Sequence, residues 1–159
     1  MSKRWTADEV LNMVRAFQPA CVLIAAAELD IFTVLCKRPR TAKSLASKLD
    51  CDTRAATILL DALTALGFLT KKRSTYSVPR NLSDILAESG PKNVLPGIRH
   101  VGNYLRRWTQ LAQVTKTGKS AERVPSIRGA AADLASFIGA MDNFSASVAG
   151  EIIKKLKPL

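Results

Sequence analysis

The stretch Thr41–Val78, TAKSLASKLDCDTRAATILLDALTALGFLTKKRSTYSV, decides the fold. Thr41 is placed to cap a helix in which Leu45, Ala46 and Leu49 recur at helical spacing, and Asp50-Cys51-Asp52 interrupts that helix. A second helix starts at Asp52 or Thr53 and runs through Ile58, Leu59, Ala62, Leu63 and Leu66. It stops at Gly67, the residue type that most easily takes the left-handed conformation ending a helix. Phe68-Leu69-Thr70 and Tyr76-Ser77-Val78 read as two short strands, with Lys71 to Thr75 as the polar turn between them. Helix, turn, helix and hairpin together predict a winged helix-turn-helix, a motif that serves both to read DNA and to join subunits.

Composition agrees with a helical fold. Of 159 residues 47% are apolar and only 6% aromatic, which favours a mainly α protein over a sandwich. A chain this long buries roughly two-thirds of its unfolded surface and needs no staples. The expected organisation is a single domain over 1–159, with a winged-helix core over about 30–80 and a helical extension over about 81–159. The net charge of +11 makes nucleic acid or an acidic surface a partner to consider, yet residues 1–80 carry +6 and residues 81–159 carry +5, so no tail or block concentrates it. Cys21, Cys36 and Cys51 are odd in number and lack the close pairs of metal or redox motifs, so they read as free thiols, at least partly buried, in a reducing compartment, with no metal site. No signal-peptide pattern opens the chain. Its longest apolar run, Ala20–Ala27, falls short of the about 20 residues a bilayer takes, so the expectation is a soluble cytoplasmic protein without a membrane partner.

Ahead of the central stretch, Thr6 and Glu9 form a capping box for a helix carrying Val10, Leu11, Met13, Val14 and Phe17, broken near Pro19. Ala20 to Leu29 is apolar nearly all round, and a helix without a polar face must be covered on every side. A second subunit is one natural cover; the centre of a monomeric bundle is the other. Asp30 to Leu35 adds a further turn or two, and a short helix spans about Ser83 to Ala87. From Val94 to Thr117 one long helix is expected, with Val94, Ile98, Val101, Leu105, Trp108 and Ala112 on an apolar stripe and Arg99, Asn103, Arg106 and Gln110 on a separate polar face. His100, the only histidine, reads as a surface or boundary residue because no carboxylate lies at helical spacing from it. After a loop from Gly118 to Gly129, Leu134, Phe137, Ile138, Met141, Phe144, Val148, Ile152 and Leu156 form an amphipathic stripe.

Much chemistry is missing. The eight glycines are isolated, so there is no phosphate-binding loop, and one histidine with no supporting motif does not assemble a nucleophile and base. No catalytic residue is assigned. The helix Thr53–Leu66 is a poor groove reader: its apolar residues cover roughly 220° of the wheel, and the polar strip holds Arg54, Thr57, Asp61 and Thr64, one cation against one anion. Nucleic acid is therefore disfavoured as a partner, although the wing lysines and the positive charge keep a DNA-binding regulator as an alternative.

Three groups of residues resemble one family. Phe17-Gln18-Pro19-Ala20 through Ala27-Glu28-Leu29-Asp30-Ile31-Phe32 is similar to the opening helices of bacterial and plant S-adenosylmethionine-dependent O-methyltransferases. Arg40 to Ala46, followed by Leu60-Asp61-Ala62-Leu63-Thr64-Ala65-Leu66-Gly67-Phe68-Leu69, resembles their dimerising winged helix, and Phe137 to Met141 through Ile152 resembles the helices leading into their catalytic domain. The likeness runs from about residue 12 to 157. It implies a homodimerisation and substrate-capping domain, cut from a longer enzyme or free-standing, that binds no cofactor itself, with S-adenosylmethionine held by a catalytic domain absent from this chain. It further implies an interface built on Val14, Phe17, Val22, Leu23, Ile24 and Leu29, and a pocket for a small aromatic or polyketide-like hydroxyl compound roofed by Trp108, Phe137, Met141 and Phe144. Membership of the core is the alternative for those four. A stand-alone interaction module that pairs with a separate enzyme chain is the remaining alternative for the whole.

Overall fold

A computed structural model describes residues 3–156, without the side chains of residues 146 and 147. Two helices lead, α1 (Ala7–Arg15) and α2 (Gln18–Glu28), separated only by Ala16 and Phe17. The capping box that starts α1 is present: the Glu9 amide donates to Thr6 Oγ1 at 3.3 Å and the Thr6 amide to Glu9 Oε2 at 2.9 Å. Asp30, in the left-handed region at φ 59°, turns the chain into α3 (Ile31–Lys37).

The winged-helix-like unit follows. It comprises β1 (Arg40–Thr41), α4 (Ala42–Leu49), α5 (Thr53–Ala65), β2 (Thr70–Lys72) and β3 (Thr75–Ser77). Thr41 Oγ1 accepts from the Ser44 amide at 3.2 Å and Asp52 Oδ1 from the Ala55 amide at 2.7 Å, so both helices begin at the caps the sequence predicts. Gly67 stops α5 with φ 81°. The hairpin is tighter than expected, since Lys71, Lys72 and Thr75 belong to the strands and only Arg73 and Ser74 turn, Arg73 with φ 53°. A third strand, β1, pairs antiparallel with β3, placing Arg40 opposite Tyr76 and giving the order β1-β3-β2. Tyr76 fastens the wing to α5: its ring is buried and its hydroxyl donates to Asp61 Oδ1 at 2.8 Å, where Lys71 Nζ also donates at 2.7 Å. Beneath the wing, Phe32, Leu45, Leu60, Leu63 and Leu69 form the core with Tyr76.

The extension contains α6 (Arg80–Leu86), α7 (Leu95–Trp108), α8 (Leu111–Thr117) and α9 (Ala130–Leu156). The expected long helix is therefore two helices. Its break at Thr109 and Gln110 comes from tertiary contacts: the Gln110 side chain donates to the Glu122 carbonyl at 3.0 Å and accepts from the Glu122 amide at 2.9 Å, tying the helix to the loop that follows. The facing of α7 is rotated from that pattern. Arg99, expected on the separate polar face, is 5% exposed, and Val101 and Trp108 of the apolar stripe are exposed, while Val94 and Ile98 of the same stripe pack against the core. Inward burial of the charged face is possible because its arginines meet carboxylates and carbonyls from α2 and α6.

Two helices flank α7. On one side α2 comes so close that a Cβ at Gly102 would lie 2.7 Å from Ile24 Cγ2 and 2.9 Å from Glu28 Oε1. On the other, α9 runs back antiparallel: the Gly97 amide donates to Asn143 Oδ1 at 3.1 Å, and Asn143 Nδ2 to the Asn93 carbonyl at 2.8 Å. Gly102→Val should therefore destabilise the protein by about 1–3 kcal/mol in urea unfolding. Gly150→Ala, where a Cβ meets nothing within 4 Å, should gain up to about 1 kcal/mol from helix propensity. Equal effects from the two substitutions would contradict the packing described.

Candidate interface and acceptor site

Residues 3–20 are exposed throughout, and α1 buries nothing in its own chain. Val14 and Phe17, two of the interface candidates, stand out from α1 and its end with Val10, Leu11 and Met13 beside them. Val22, Leu23 and Leu29 lie half-buried against the core. Ile24 is different: it is 7% exposed and faces Gly102, so it belongs to the inner packing of the protomer. Because α2 is apolar on all sides, the sequence held no polar face by which to orient Ile24. Together α1 and α2 form a longer apolar stretch than the run Ala20–Ala27 alone. The stretch Ala7–Glu28 contains an 18-residue window of mean hydropathy 1.5, long and apolar enough to cross a bilayer by length and composition.

The four pocket candidates are exposed within the chain. Phe137, Met141 and Phe144 project from α9. Phe137 lies 5.1 Å from the His100 ring, centroid to centroid, and Phe144 covers Gly97. Trp108, 66% exposed, sits at the end of α7 in a groove of about 420 Å³ with Tyr104, Arg107, Leu111, Val114 and Ser120, and Tyr104 lies in turn against the His100 ring that Phe137 faces. Arg107 and Trp108 stand three and four residues beyond Tyr104, Leu111 three beyond Trp108, and Ser120 joins them from the loop after α8. A partly open apolar cavity of about 260 Å³ lies elsewhere, between α4 and α5, where Leu45, Leu49, Cys51 and Leu59 line it. All three cysteines are free and half-buried as expected, and burial pushes the Cys36 thiol up.

Charged groups hold this half together. Arg99 Nε donates to the Ala27 carbonyl at 3.0 Å, and Nη2 reaches Asp30 Oδ1 at 2.7 Å and Glu88 Oε2 at 3.1 Å. Arg128 donates to the other oxygen of Asp30 at 2.7 Å, and Arg106 to Glu28 Oε1 at 2.8 Å. His100, expected at the surface or a boundary, is buried edge-on to Tyr104 with centroids 4.5 Å apart, and neither ring nitrogen has a hydrogen-bond partner among the described residues. Burial, and then the Arg107 charge, hold its pKa below the usual histidine value.

The described strands are three short antiparallel ones, none leading into a glycine-rich loop. Among the described residues no group of three or more His, Cys, Asp or Glu is placed to hold a metal ion.

These features define a mainly helical, winged-helix-like domain with large apolar faces left open. Residues 11–91 match the O-methyltransferase dimerisation domain, and the chain belongs to that family. It is 32% identical over 155 residues to the tetracenomycin polyketide synthesis 8-O-methyl transferase TcmO of Streptomyces glaucescens, covering 88% of this chain and 43% of that protein. Over 100 residues it is 31% identical to PigF, an S-adenosyl-L-methionine-dependent methyl transferase of Serratia sp. (strain ATCC 39006), covering 63% of this chain and 29% of PigF. The structure of PigF with SAH superposes with a TM-score of 0.63 at 29% identity, covering 71% of this chain and 34% of that one. An O-methyltransferase family protein from Burkholderia thailandensis shares the fold with a TM-score of 0.75 at 18% identity, covering 94% and 46%. The chain thus spans less than half the length of these relatives.

The environment of His100 sets a pH dependence. Its pKa is lower folded than unfolded, so the unfolded chain binds the proton first as pH falls, and stability drops between the unfolded value near 6.5 and the lower folded one. Asp61 and Glu9, whose pKa values are lowered by hydrogen bonds from Lys71 and Thr6, act only below the ordinary carboxylate range and leave this window clear. Urea unfolding should show the protein less stable at pH 5 than at pH 7.5, and His100→Gln should shrink that difference. An unchanged difference in the variant would remove His100 as its source.

Proposed function

We propose that this chain is the dimerisation and acceptor-capping part of an S-adenosylmethionine-dependent O-methyltransferase that works as a cytoplasmic homodimer on a small aromatic or polyketide-like hydroxyl compound. The observation that carries this is the apolar ridge of α1, none of whose residues is buried in its own chain. A nine-residue helix is too short to hold itself together in water, so its stability calls for a covering surface. Family membership favours a second copy of the chain as that cover. The acceptor assignment is supported by the aromatic and thioether side chains open along α7 and α9, and by likeness to TcmO, named for tetracenomycin polyketide synthesis. The cap contributes apolar walls to the pocket; methyl donor and catalytic groups come from residues outside this chain.

Geometry speaks against the DNA-binding alternative. Asp61 in the middle of α5 is engaged by Lys71 and Tyr76, and the same helix exposes Ile58, leaving it apolar and without a row of cations for phosphate.

Light scattering at micromolar concentration, without detergent, should report a particle of twice the 17.2 kDa chain mass. Phe17→Asp should weaken association by about 2 kcal/mol, near 30-fold. A wild-type monomer, or a dimer indifferent to that substitution, would contradict the proposal.

A further inference from the structure

The geometry points to Arg107 as the recognition group for an acidic substituent, a carboxylate or ionised phenol, on a flat aromatic acceptor that lies in the Tyr104–Trp108 groove. This rests on the acceptor-capping reading and adds the charge class of the acceptor to it.

Three observations converge. First, the other two arginines of α7 are engaged, Arg99 by Asp30 and Glu88 and Arg106 by Glu28. Arg107, one residue beyond Arg106, has no ion pair and no side-chain hydrogen bond among the described residues, and it lines the groove. Second, its neighbours there suit a ring system. Tyr104 and Trp108 supply aromatic faces, Leu111 and Val114 an apolar wall, and Ser120 a hydroxyl at the rim. At about 420 Å³ the groove falls within the usual size range of small-molecule sites. Third, Arg107 is the charged residue among those that line the groove. His100, packed behind Tyr104, has its pKa lowered by burial and then by the Arg107 charge. A planar fork with five donors matches a carboxylate or phenolate oxygen better than a neutral hydroxyl.

The test uses the 159-residue chain with Trp5→Phe, so that Trp108 is the sole indole, and follows its fluorescence during titration with 3-hydroxy-2-naphthoate and with the neutral 3-hydroxy-2-naphthamide. The acid should bind about tenfold tighter than the amide. Arg107→Gln should abolish that preference and leave amide binding unchanged, while Arg107→Lys should keep part of it. Arg123→Gln, which removes the same charge from outside the groove, should leave the preference intact and so separate a local contact from the general +11 charge. Equal binding of acid and amide, or a preference that survives Arg107→Gln, would overturn the assignment of Arg107 while leaving the groove as an acceptor surface. If neither probe perturbs Trp108, the acceptor-capping reading of this groove falls with it.

Discussion

A buried guanidinium is costly unless its donors are met, and Arg99 meets this condition in a way that sets the rest of the molecule. Its contacts are the Ala27 carbonyl at the end of α2, Asp30 in the left-handed turn before α3, and Glu88 after α6. Asp30 is in turn shared with Arg128 from the loop ahead of α9. One ionic cluster therefore joins the end of α2 and the turn before α3 to the helical extension. Because α7 must turn Arg99 and Arg106 inward to reach these partners, it lies tightly on α2 at Gly102 and shows Val101 and Trp108 to the outside.

That orientation explains why so much apolar surface is left bare. Single exposed apolar residues are ordinary, but here they are contiguous: Val10, Leu11, Met13, Val14 and Phe17 along the first helix, and Leu134, Ile138, Met141, Phe144, Val148 and Ile152 along the last. The family is one of dimerisation domains, and the chain spans less than half of TcmO and PigF. In our proposal such faces are covered by a second copy at α1 and by acceptor and catalytic domain along α7 and α9.

Features encoded by near neighbours in sequence were legible. Thr6 with Glu9, Thr41, Asp52 and Gly67 act within a turn of where they stand, so helix ends and the winged-helix pattern could be read directly. Features made by distant partners were not. The two-residue strand β1 exists only because β3 lies beside it, the break after Trp108 depends on Gln110 meeting Glu122, and the inward face of α7 depends on carboxylates as far away as Asp30. Helical periodicity located an apolar stripe on α7 correctly but carried no sign for inside or outside. For the same reason the burial of Ile24 against Gly102 was not legible in a helix that is apolar on all sides.

The most direct test of the claim that α1 is covered by a second copy is hydrogen exchange at its amides, measured on the purified particle of twice the chain mass. The account predicts that Val10 to Arg15 exchange far more slowly than in a free peptide of the same sequence, together with residues of α2. Exchange of those amides at free-peptide rates in that particle would contradict it, because the helix would then be uncovered in the assembled state.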